Sequence, residues 1–317
     1  MKNKTILVTG IAGFIGYNLA RKLINAGYSV MGIDNFDPYY NVALKRRRVK
    51  ELLGLGVRVI EGNILIDNDL REVFKTKIDT VVHLAAKVGV RHSFEKPEDY
   101  MTTNVLGTIK MLEWSNRHTV EQFIFASSSS VYGDQSKLPF SEDDVGQGRL
   151  LSPYAASKRS AELYCEMNAL THGLATTVLR FFTVYGSNSR PDMAIYRITE
   201  SLKKNQNFTI YGVGRAKRDF THIDDVVRGI IIALEKPLDF SVINIGCSNP
   251  ISITKLMEIF EKLSNKNLKI RQESIQAGDM DTTFADIQKA GKLLAWKPSI
   301  TVNTGIKRLV EAMDITL

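Results

Sequence analysis

A tyrosine and a lysine one helical turn apart, Tyr154-Ala-Ala-Ser-Lys158, put a phenol and an ammonium on the same face of a helix. A free phenol titrates at about 10 and is a poor base at neutral pH, but a neighbouring cation favours the phenolate and brings it toward the working range. Alone the pattern recurs by chance in many chains. Two companions give it weight. One is a serine-rich strand end, Ala126-Ser-Ser-Ser-Ser-Val-Tyr-Gly133. The other is Gly10-Ile-Ala-Gly13-Phe-Ile-Gly16, set between an apolar strand and an amphipathic helix. There one glycine permits a tight turn, one lets backbone N–H groups approach a pyrophosphate at the helix N-terminus, and one allows close helix-to-strand packing. The next strand ends in Asp34, about 20 residues on, where a carboxylate can accept from both ribose hydroxyls of an adenosine. A carboxylate there repels a 2′-phosphate, which favours NAD over NADP.

Other candidates carry less. Lys45-Arg46-Arg47-Arg48 would suit a 2′-phosphate or a nucleic-acid patch, yet most charge runs are solvated helix faces, and the run is read as one. The five histidines, His83, His92, His118, His172 and His222, are scattered without zinc-ligand spacing. No metal is expected. His83 sits in a strand and reads as a core residue. Cys165 and Cys247 are too few for a disulfide framework and read as packing thiols in a reducing compartment. A Gly-x-Ser-x-Gly elbow is missing, which argues against a serine hydrolase.

These residues need a scaffold to position them. Short β-branched runs at Thr5 to Thr9, Ser29 to Ile33, Val57 to Glu61, Thr80 to Leu84 and Gln122 to Ala126 alternate with amphipathic stretches, the texture of repeated βα units around a parallel sheet. Clean polar alternation is missing from the runs, as expected of strands covered on both faces. Long helical patterns at Pro97 to His118 and Pro153 to His172 flank the serine-rich loop. Beyond Leu179 the chain turns to loops rich in Gly, Ser, Asn, Arg and Pro with short helices, including Ile287 to Leu294. The expected architecture is therefore α/β: a Rossmann-type doubly wound parallel sheet over residues 1–180, with a later segment near 220–246 returning to it, and a smaller mixed α/β substrate domain over 181–317. In a chain of 317 residues, 44% hydrophobic and 24% charged, neither disorder nor a coiled-coil rod is a sensible reading. The longest apolar stretches, such as Gly229 to Leu234, fall far short of the roughly 18 residues a spanning helix needs. No secretory h-region follows the opening Met-Lys-Asn-Lys, so the expected location is the cytoplasm. The formal charge of +8 asks for an anionic partner without choosing among nucleic acid, membrane and a phosphorylated small molecule.

Taken together the motifs resemble the extended short-chain dehydrogenase/reductase family, and within it the nucleotide-sugar 4-epimerases. The similarity runs over nearly the whole chain. Asp34-Asn-Phe-Asp-Pro-Tyr-Tyr40 with Leu44-Lys45-Arg46, the stretch from His83 to Ser93, Arg180-Phe-Phe-Thr-Val-Tyr-Gly186, Arg190-Pro-Asp-Met193 and Arg218-Asp-Phe-Thr-His-Ile-Asp-Asp225 look most like the UDP-glucuronate 4-epimerases. The resemblance implies a tightly held NAD⁺ that removes hydride from C4 of a UDP-sugar, a 4-keto intermediate that swings about its diphosphate, and return of hydride to the opposite face. Tyr154 would be the base, Lys158 would tune it and bind the nicotinamide ribose, and Ser128 would bond the 4-oxygen. Cofactor contacts would come from Gly10, Gly13, Phe14, Ile15, Gly16, Asp34, Asn35, Asn63, Ile64, Leu84, Ala85, Ala86, Lys87, Asn104 and Phe181, besides Tyr154 and Lys158.

On the sugar side the resemblance implies Arg218 as the diphosphate clamp and Asp279 as the acceptor for the uridine ribose. Related 4,6-dehydratases carry an Asp-Glu pair where Ser129 and Ser130 stand, and related decarboxylases carry a Glu at Ser130; both carboxylates are missing here. Ser129, Ser130 and Thr183, with Arg190 as charged partner, would instead hold a C6 carboxylate in an orientation unfavourable for C–C cleavage. Two departures from the galactose-type pattern are Gln276, where an arginine is usual, and Asn63, where an Asp commonly meets the adenine amine. The rivals are a neutral-sugar epimerase acting on UDP-glucose or UDP-N-acetylglucosamine, and a non-catalytic NAD- or RNA-binding module. Neither nucleic acid nor membrane is the expected partner. The family's paired helices at Pro97 and Pro153 imply a homodimer, and the apolar stripe Leu163, Tyr164, Met167 and Leu170 would pack in the core or against a twin subunit.

Overall fold

The first strand, Thr5–Thr9, is apolar on both sides, and its alternate residues feed two different cores: Ile6 and Val8 enter one, Leu7 the other. A strand with that pattern needs helices over both faces of its sheet. The structure, a computed structural model, describes residues 4–274 and 280–314 and supplies them. Seven parallel strands run across the sheet in the order Phe240–Ile245, Ala175–Phe181, Gln122–Ser128, Thr80–His83, Thr5–Thr9, Ser29–Asp34, Arg58–Glu61. Sequence order reverses beside Thr5–Thr9, and the carboxyl ends of the strands open there into the crevice that such sheets use for ligands.

Helix Phe14–Asn25 buries Phe14, Tyr17, Leu19 and Leu23 against one face, where helix Ile223–Glu235 joins it through Val226, Val227 and Ile230. The other face is filled by Met111, Leu112 and Trp114 of helix Gly107–Arg117 and by Ala161 and Cys165 of helix Pro153–His172, packed on Phe123 and Phe125. Each large apolar side chain buried in this way contributes about 1.5–3 kcal/mol. The outer face of helix Pro153–His172 has no such cover: Leu163, Tyr164, Met167 and Leu170 are all exposed. The stripe therefore does not serve this core.

A second body grows from the sheet's carboxyl edge. One residue, Phe182, separates strand Ala175–Phe181 from strand Thr183–Tyr185, which pairs with Lys217–His222; Pro250–Ser252 and Thr282–Thr283 complete that smaller mixed sheet. Helices Ala194–Lys204, Ile253–Ser264 and Val302–Asp314 close its core of Ile198, Phe208, Leu256, Phe260 and Ile306. The chain does not stay there. Ile223–Glu235 and Phe240–Ile245 return to the large sheet, and helix Gln288–Leu294 with Trp296, expected with the smaller unit, packs on the large core instead. Trp296 is held there by its indole N–H, which donates to the Asp225 carbonyl at 3.0 Å. Among the described residues no helix is long and apolar enough to cross a membrane.

Candidate active site

The glycine turn needs its glycines for space. Gly10 adopts φ +69° and a Cβ on it would lie 2.9 Å from the Ala85 nitrogen; a Cβ on Gly16 would lie 2.4 Å from the Gly10 carbonyl oxygen. The backbone folds tightly enough for the N-terminus of helix Phe14–Asn25 to face the crevice, and no acidic side chain occupies its first turn. Its dipole and N–H groups are thus available to an anion. Beside it Asp34 is buried, with Oδ2 accepting from the Ala12 N–H at 3.0 Å and Oδ1 from the Phe36 N–H at 2.8 Å. Burial pushes its carboxyl pKa up, against the pull of Lys45 and these two N–H groups.

The Lys45–Arg48 run is not the solvated face expected of it. Arg46 and Arg47 point outward, but Lys45 and Arg48 are 7% and 2% exposed. The Lys45 ammonium lines the crevice, 4.0 Å from Asp34 and 5.0 Å from the centre of the Tyr40 ring. Arg48 donates to the Ala12 carbonyl at 3.0 Å, the Tyr40 hydroxyl at 2.9 Å and the Asn188 carbonyl at 2.7 Å, tying the glycine turn to the second body.

Behind the loop that follows strand Thr80–His83 lies a saturated polar network. The Thr9 hydroxyl accepts from the N–H groups of Leu84 and Ala85 and bonds His83 Nδ1 at 2.8 Å, while His83 Nε2 meets the Thr108 hydroxyl at 3.1 Å. Burial, helped by the Lys158 charge, drives His83 down to about 3, so the ring is neutral. Asn104 sits on a π-helical turn, Met101–Leu106. Its Oδ1 accepts from the Lys87 N–H, and its amide donates to the Lys87 carbonyl and the Ser157 hydroxyl. Asn104, expected on the cofactor side, is buried and clamps the loop to the Tyr154 helix, both of its amide N–H groups donating to protein partners. The Lys87 side chain turns toward Asp37, 2.7 Å away.

Helix Pro153–His172 begins where Ser152 caps it, its hydroxyl accepting from the Ala155 N–H at 3.1 Å, with Pro153 in the first position. The first two turns then present Tyr154 and Lys158 to the crevice opposite Ser128. The Lys158 ammonium donates to the Ala126 carbonyl at 2.8 Å and stacks on Phe125, and burial pulls it down to about 8 despite nearby Cys165 and Glu162. Burial also pushes Tyr154 above its ordinary value; the forces pulling it back are a hydrogen bond with Ser128 and the charge of Arg190, not Lys158 as the spacing suggested. Glu162, one turn beyond Lys158, is neutralised in the core by Arg180, which bonds both its oxygens at 2.9 Å, and by the Ser127 hydroxyl.

Ser129 and Ser130 begin the short turn Ser129–Tyr132 at the end of strand Gln122–Ser128. With Thr183, Arg190 and Arg218 they line one end of a cleft of about 420 Å³, whose other end is lined by Gly10, Gly13, Phe14, Ile15, Gly16, Asp34, Asn35, Asn63, Ile64, Leu84 to Lys87 and Phe181. Neighbouring Asp219 is buried and gathers the N–H groups of Cys247, Ser248 and Ala285 at 2.6–3.0 Å, anchoring the strand that carries Arg218. Asp279 and Gln276 lie outside the described residues. Tyr39 and Lys45, given no site role in the sequence reading, line the same cleft, and Asp192 and Arg48 bond the hydroxyls of Tyr39 and Tyr40 beside it. Among the described residues no three His, Cys, Asp or Glu side chains gather as a metal site. The residues present fit a dinucleotide: a glycine cradle that a Cβ would fill, a buried carboxylate beside a cleft-facing lysine, and a Tyr–Lys pair at the far end.

Residues 6–246 match the model of the NAD dependent epimerase/dehydratase family. A UDP-glucuronate 4-epimerase of Thermodesulfobacterium geofontis is 42% identical over 96% of this chain and 94% of its own length. The crystal structure of a UDP-glucuronic acid 4-epimerase from Bacillus cereus, in complex with UDP-glucuronic acid and NAD, is 36% identical, covers 99% of this chain and 100% of that one, and superposes with a TM-score of 0.91. A UDP-glucose 4-epimerase from Thermotoga maritima, solved with UDP-glucose, is 31% identical with a TM-score of 0.90, over 98% of this chain and 99% of that one.

Proposed function

This chain belongs to the NAD dependent epimerase/dehydratase family, and from that premise we propose that it interconverts UDP-glucuronate and UDP-galacturonate. It is an NAD-dependent UDP-sugar 4-epimerase. Bound NAD supplies a reversible hydride acceptor for C4 of the sugar. Around it, the glycine turn and helix N-terminus hold the pyrophosphate, while Asp34 and Lys45 bond the adenosine ribose. Asn104 keeps the loop of Leu84 to Lys87 in register with the Tyr154 helix. Tyr154 takes the proton of the 4-hydroxyl and later returns it, and Ser128 fixes the oxygen during both transfers. Burial leaves Tyr154 too weakly acidic against the pull of Ser128 and Arg190; the positive charge of a bound nicotinamide ring would bring the phenolate within reach, and Lys158, anchored on the Ala126 carbonyl, would bond the nicotinamide ribose. Arg218 clamps the diphosphate about which the ketone turns.

The observation that carries the uronate reading is the make-up of the cleft beside Tyr154. Three hydroxyls, Ser129, Ser130 and Thr183, and one guanidinium, Arg190, line it, and no carboxylate stands at 129 or 130 to drive dehydration or repel a C6 carboxylate. A neutral-sugar epimerase is the second reading. It is favoured by one fact: Arg190 is already paired with Asp192, at 3.0 and 2.9 Å. NMR of the purified protein with a panel of UDP-sugars and no added cofactor decides between them. Inversion of UDP-glucuronate at C4 is expected; inversion of UDP-glucose or UDP-N-acetylglucosamine with UDP-glucuronate untouched would reject the uronate.

We assign the exposed stripe of Leu163, Tyr164, Met167 and Leu170, with exposed Met101 and Leu106 on the neighbouring π-helical turn, to a contact with a second copy of this chain. Such a patch on two helices suits a two-fold interface.

A further inference from the structure

A guanidinium has five N–H donors in a planar fork. Arg190 gives two of them to one carboxylate: Nε to Asp192 Oδ1 at 3.0 Å and Nη2 to Asp192 Oδ2 at 2.9 Å. Arg190 lines the cleft and Asp192 does not, so three N–H groups remain for the cleft side of the fork. Burial works to raise the Asp192 carboxyl, but the guanidinium beside it outweighs burial and holds it below the usual carboxylate range. The second oxygen of Asp192 takes another bond, from the Tyr39 hydroxyl at 3.2 Å, across 153 residues of sequence.

Tyr39 belongs to the cofactor half. Its N–H donates to Asp37 at 2.9 Å, Asp37 accepts from Lys87 at 2.7 Å, and a Cβ on Gly89 would lie 2.3 Å from the Tyr39 hydroxyl oxygen. The ring tip is thus confined between two loops of the large body while it braces a carboxylate of the other. Resting on the uronate reading above, we propose that Asp192, braced by Tyr39, is a positioning residue that turns Arg190 from a loose cation into a directed fork, and thereby sets both the preference for a carboxylated sugar and the survival of its carboxyl group.

The chemistry makes this positioning consequential. A uronate oxidised at C4 is a β-keto acid. In its decarboxylation the C5–C6 bond breaks, the bonding pair moves into the C4 carbonyl to give an enolate, CO₂ leaves, and a proton returns to C5. That step draws negative charge away from the carboxylate and needs the C5–C6 bond aligned with the carbonyl π system. A fork bonded to the carboxylate stabilises the charge before cleavage and fixes its plane, so it raises the barrier. A guanidinium free to rotate does neither reliably. Pairing with Asp192 also offsets the positive charge beside Tyr154, so directed donors are presented without a strong local field. A neutral hydroxymethyl group would gain little from either effect.

The test uses the full chain with its NAD, UDP-glucuronate labelled at C6, and UDP-glucose as the neutral comparison. In Asp192→Ala the KM for UDP-glucuronate should rise about tenfold or more, the loss expected when a charge-assisted pair no longer holds its geometry. The fraction of label released as CO₂ per C4 inversion should rise at least severalfold, and the kinetics of any neutral sugar should stay close to wild type. Tyr39→Phe, which deletes only the brace, should move both uronate quantities the same way by a smaller factor, and Asp192→Glu should recover part of the loss. Equal impairment of both sugars with no extra CO₂ would overturn the proposal and make Asp192 a mere loop residue. Should Asp192→Ala not fold, an unchanged CO₂ fraction in folded Tyr39→Phe and Asp192→Asn would overturn it. Wild-type protein that inverts only neutral sugars would reject the uronate reading itself, and the proposal with it.

Discussion

The two halves of the cleft are built from different materials. On the cofactor side the ligand-facing groups are backbone, or side chains locked by buried partners: the glycine turn, Asp34 held by two N–H groups, Lys158 held by the Ala126 carbonyl, and a loop pinned through Thr9, His83 and Asn104. On the sugar side they are serine and threonine hydroxyls and long arginines with partly exposed partners, such as Arg190 on Asp192. A rigid cradle suits a coenzyme that is held in one pose. Directed but adjustable donors suit a ring that must present each of its faces in turn.

Substitutions should separate the halves. Tyr154→Phe removes the proton acceptor where they meet and should lower turnover by about 10²–10⁴ while leaving bound NAD unchanged, measured as rate and as NAD content of the purified protein. Near-normal rates would show that the base is misassigned. Gly16→Ala forces a Cβ into the Gly10 carbonyl; with strain of about 1–3 kcal/mol, NAD affinity should fall about 10- to 100-fold with the fold retained, as titration of the stripped protein would read. Arg218→Ala should act the other way round, raising the KM for every UDP-sugar about tenfold with NAD content intact, because it deletes a charged donor to a group all of them share. If it lost NAD as well, the two halves would not be separable.

The smallest effect is a pH dependence confined to the cofactor side. His83 is neutral in the fold at about 3 and titrates at about 6.5 unfolded. A folded value below the unfolded one means the unfolded chain binds the extra proton, so this contribution is complete above pH 6.5 and is lost as pH falls toward 3. Chemical denaturation at pH 4 and 6 should show a slope shallower by up to about 1.4 kcal/mol per pH unit in His83→Gln than in the parent. Equal slopes would mean that the ring is not held neutral.

The same contrast decided what could be read from the residues alone. The glycine turn, Asp34 and the Tyr154–Lys158 pair were legible because backbone approach and helical periodicity demand those types at fixed separations. The parallel sheet was legible for a similar reason, since strands covered on both faces lose their polar alternation. Lys45 and Arg48 were not, because four consecutive cations look alike in a string, and only the packing of helix Val42–Gly54 decides which two turn inward. Asn104 was recognisable by resemblance, but the π-helical turn that carries it has no periodic signature. The pairing of Tyr39 with Asp192 joins loops that only the folded topology brings together. Return of Gln288–Leu294 to the large core was equally hidden, since an amphipathic helix does not say which sheet it will cover.

That return completes a pattern of stitching. The chain crosses between the two bodies at Phe182, at His222–Ile223, between Ile245 and Pro250, between Thr283 and Gln288, and between Trp296 and Val302. Cutting at the first crossing would strip the large sheet of its edge strand Phe240–Ile245 and of the Ile223–Glu235 helix over one face. The smaller body is therefore no interchangeable cassette. A swapped terminal block of sequence would disrupt the large sheet along with the cleft, so a change of substrate preference has to be written residue by residue along the cleft wall.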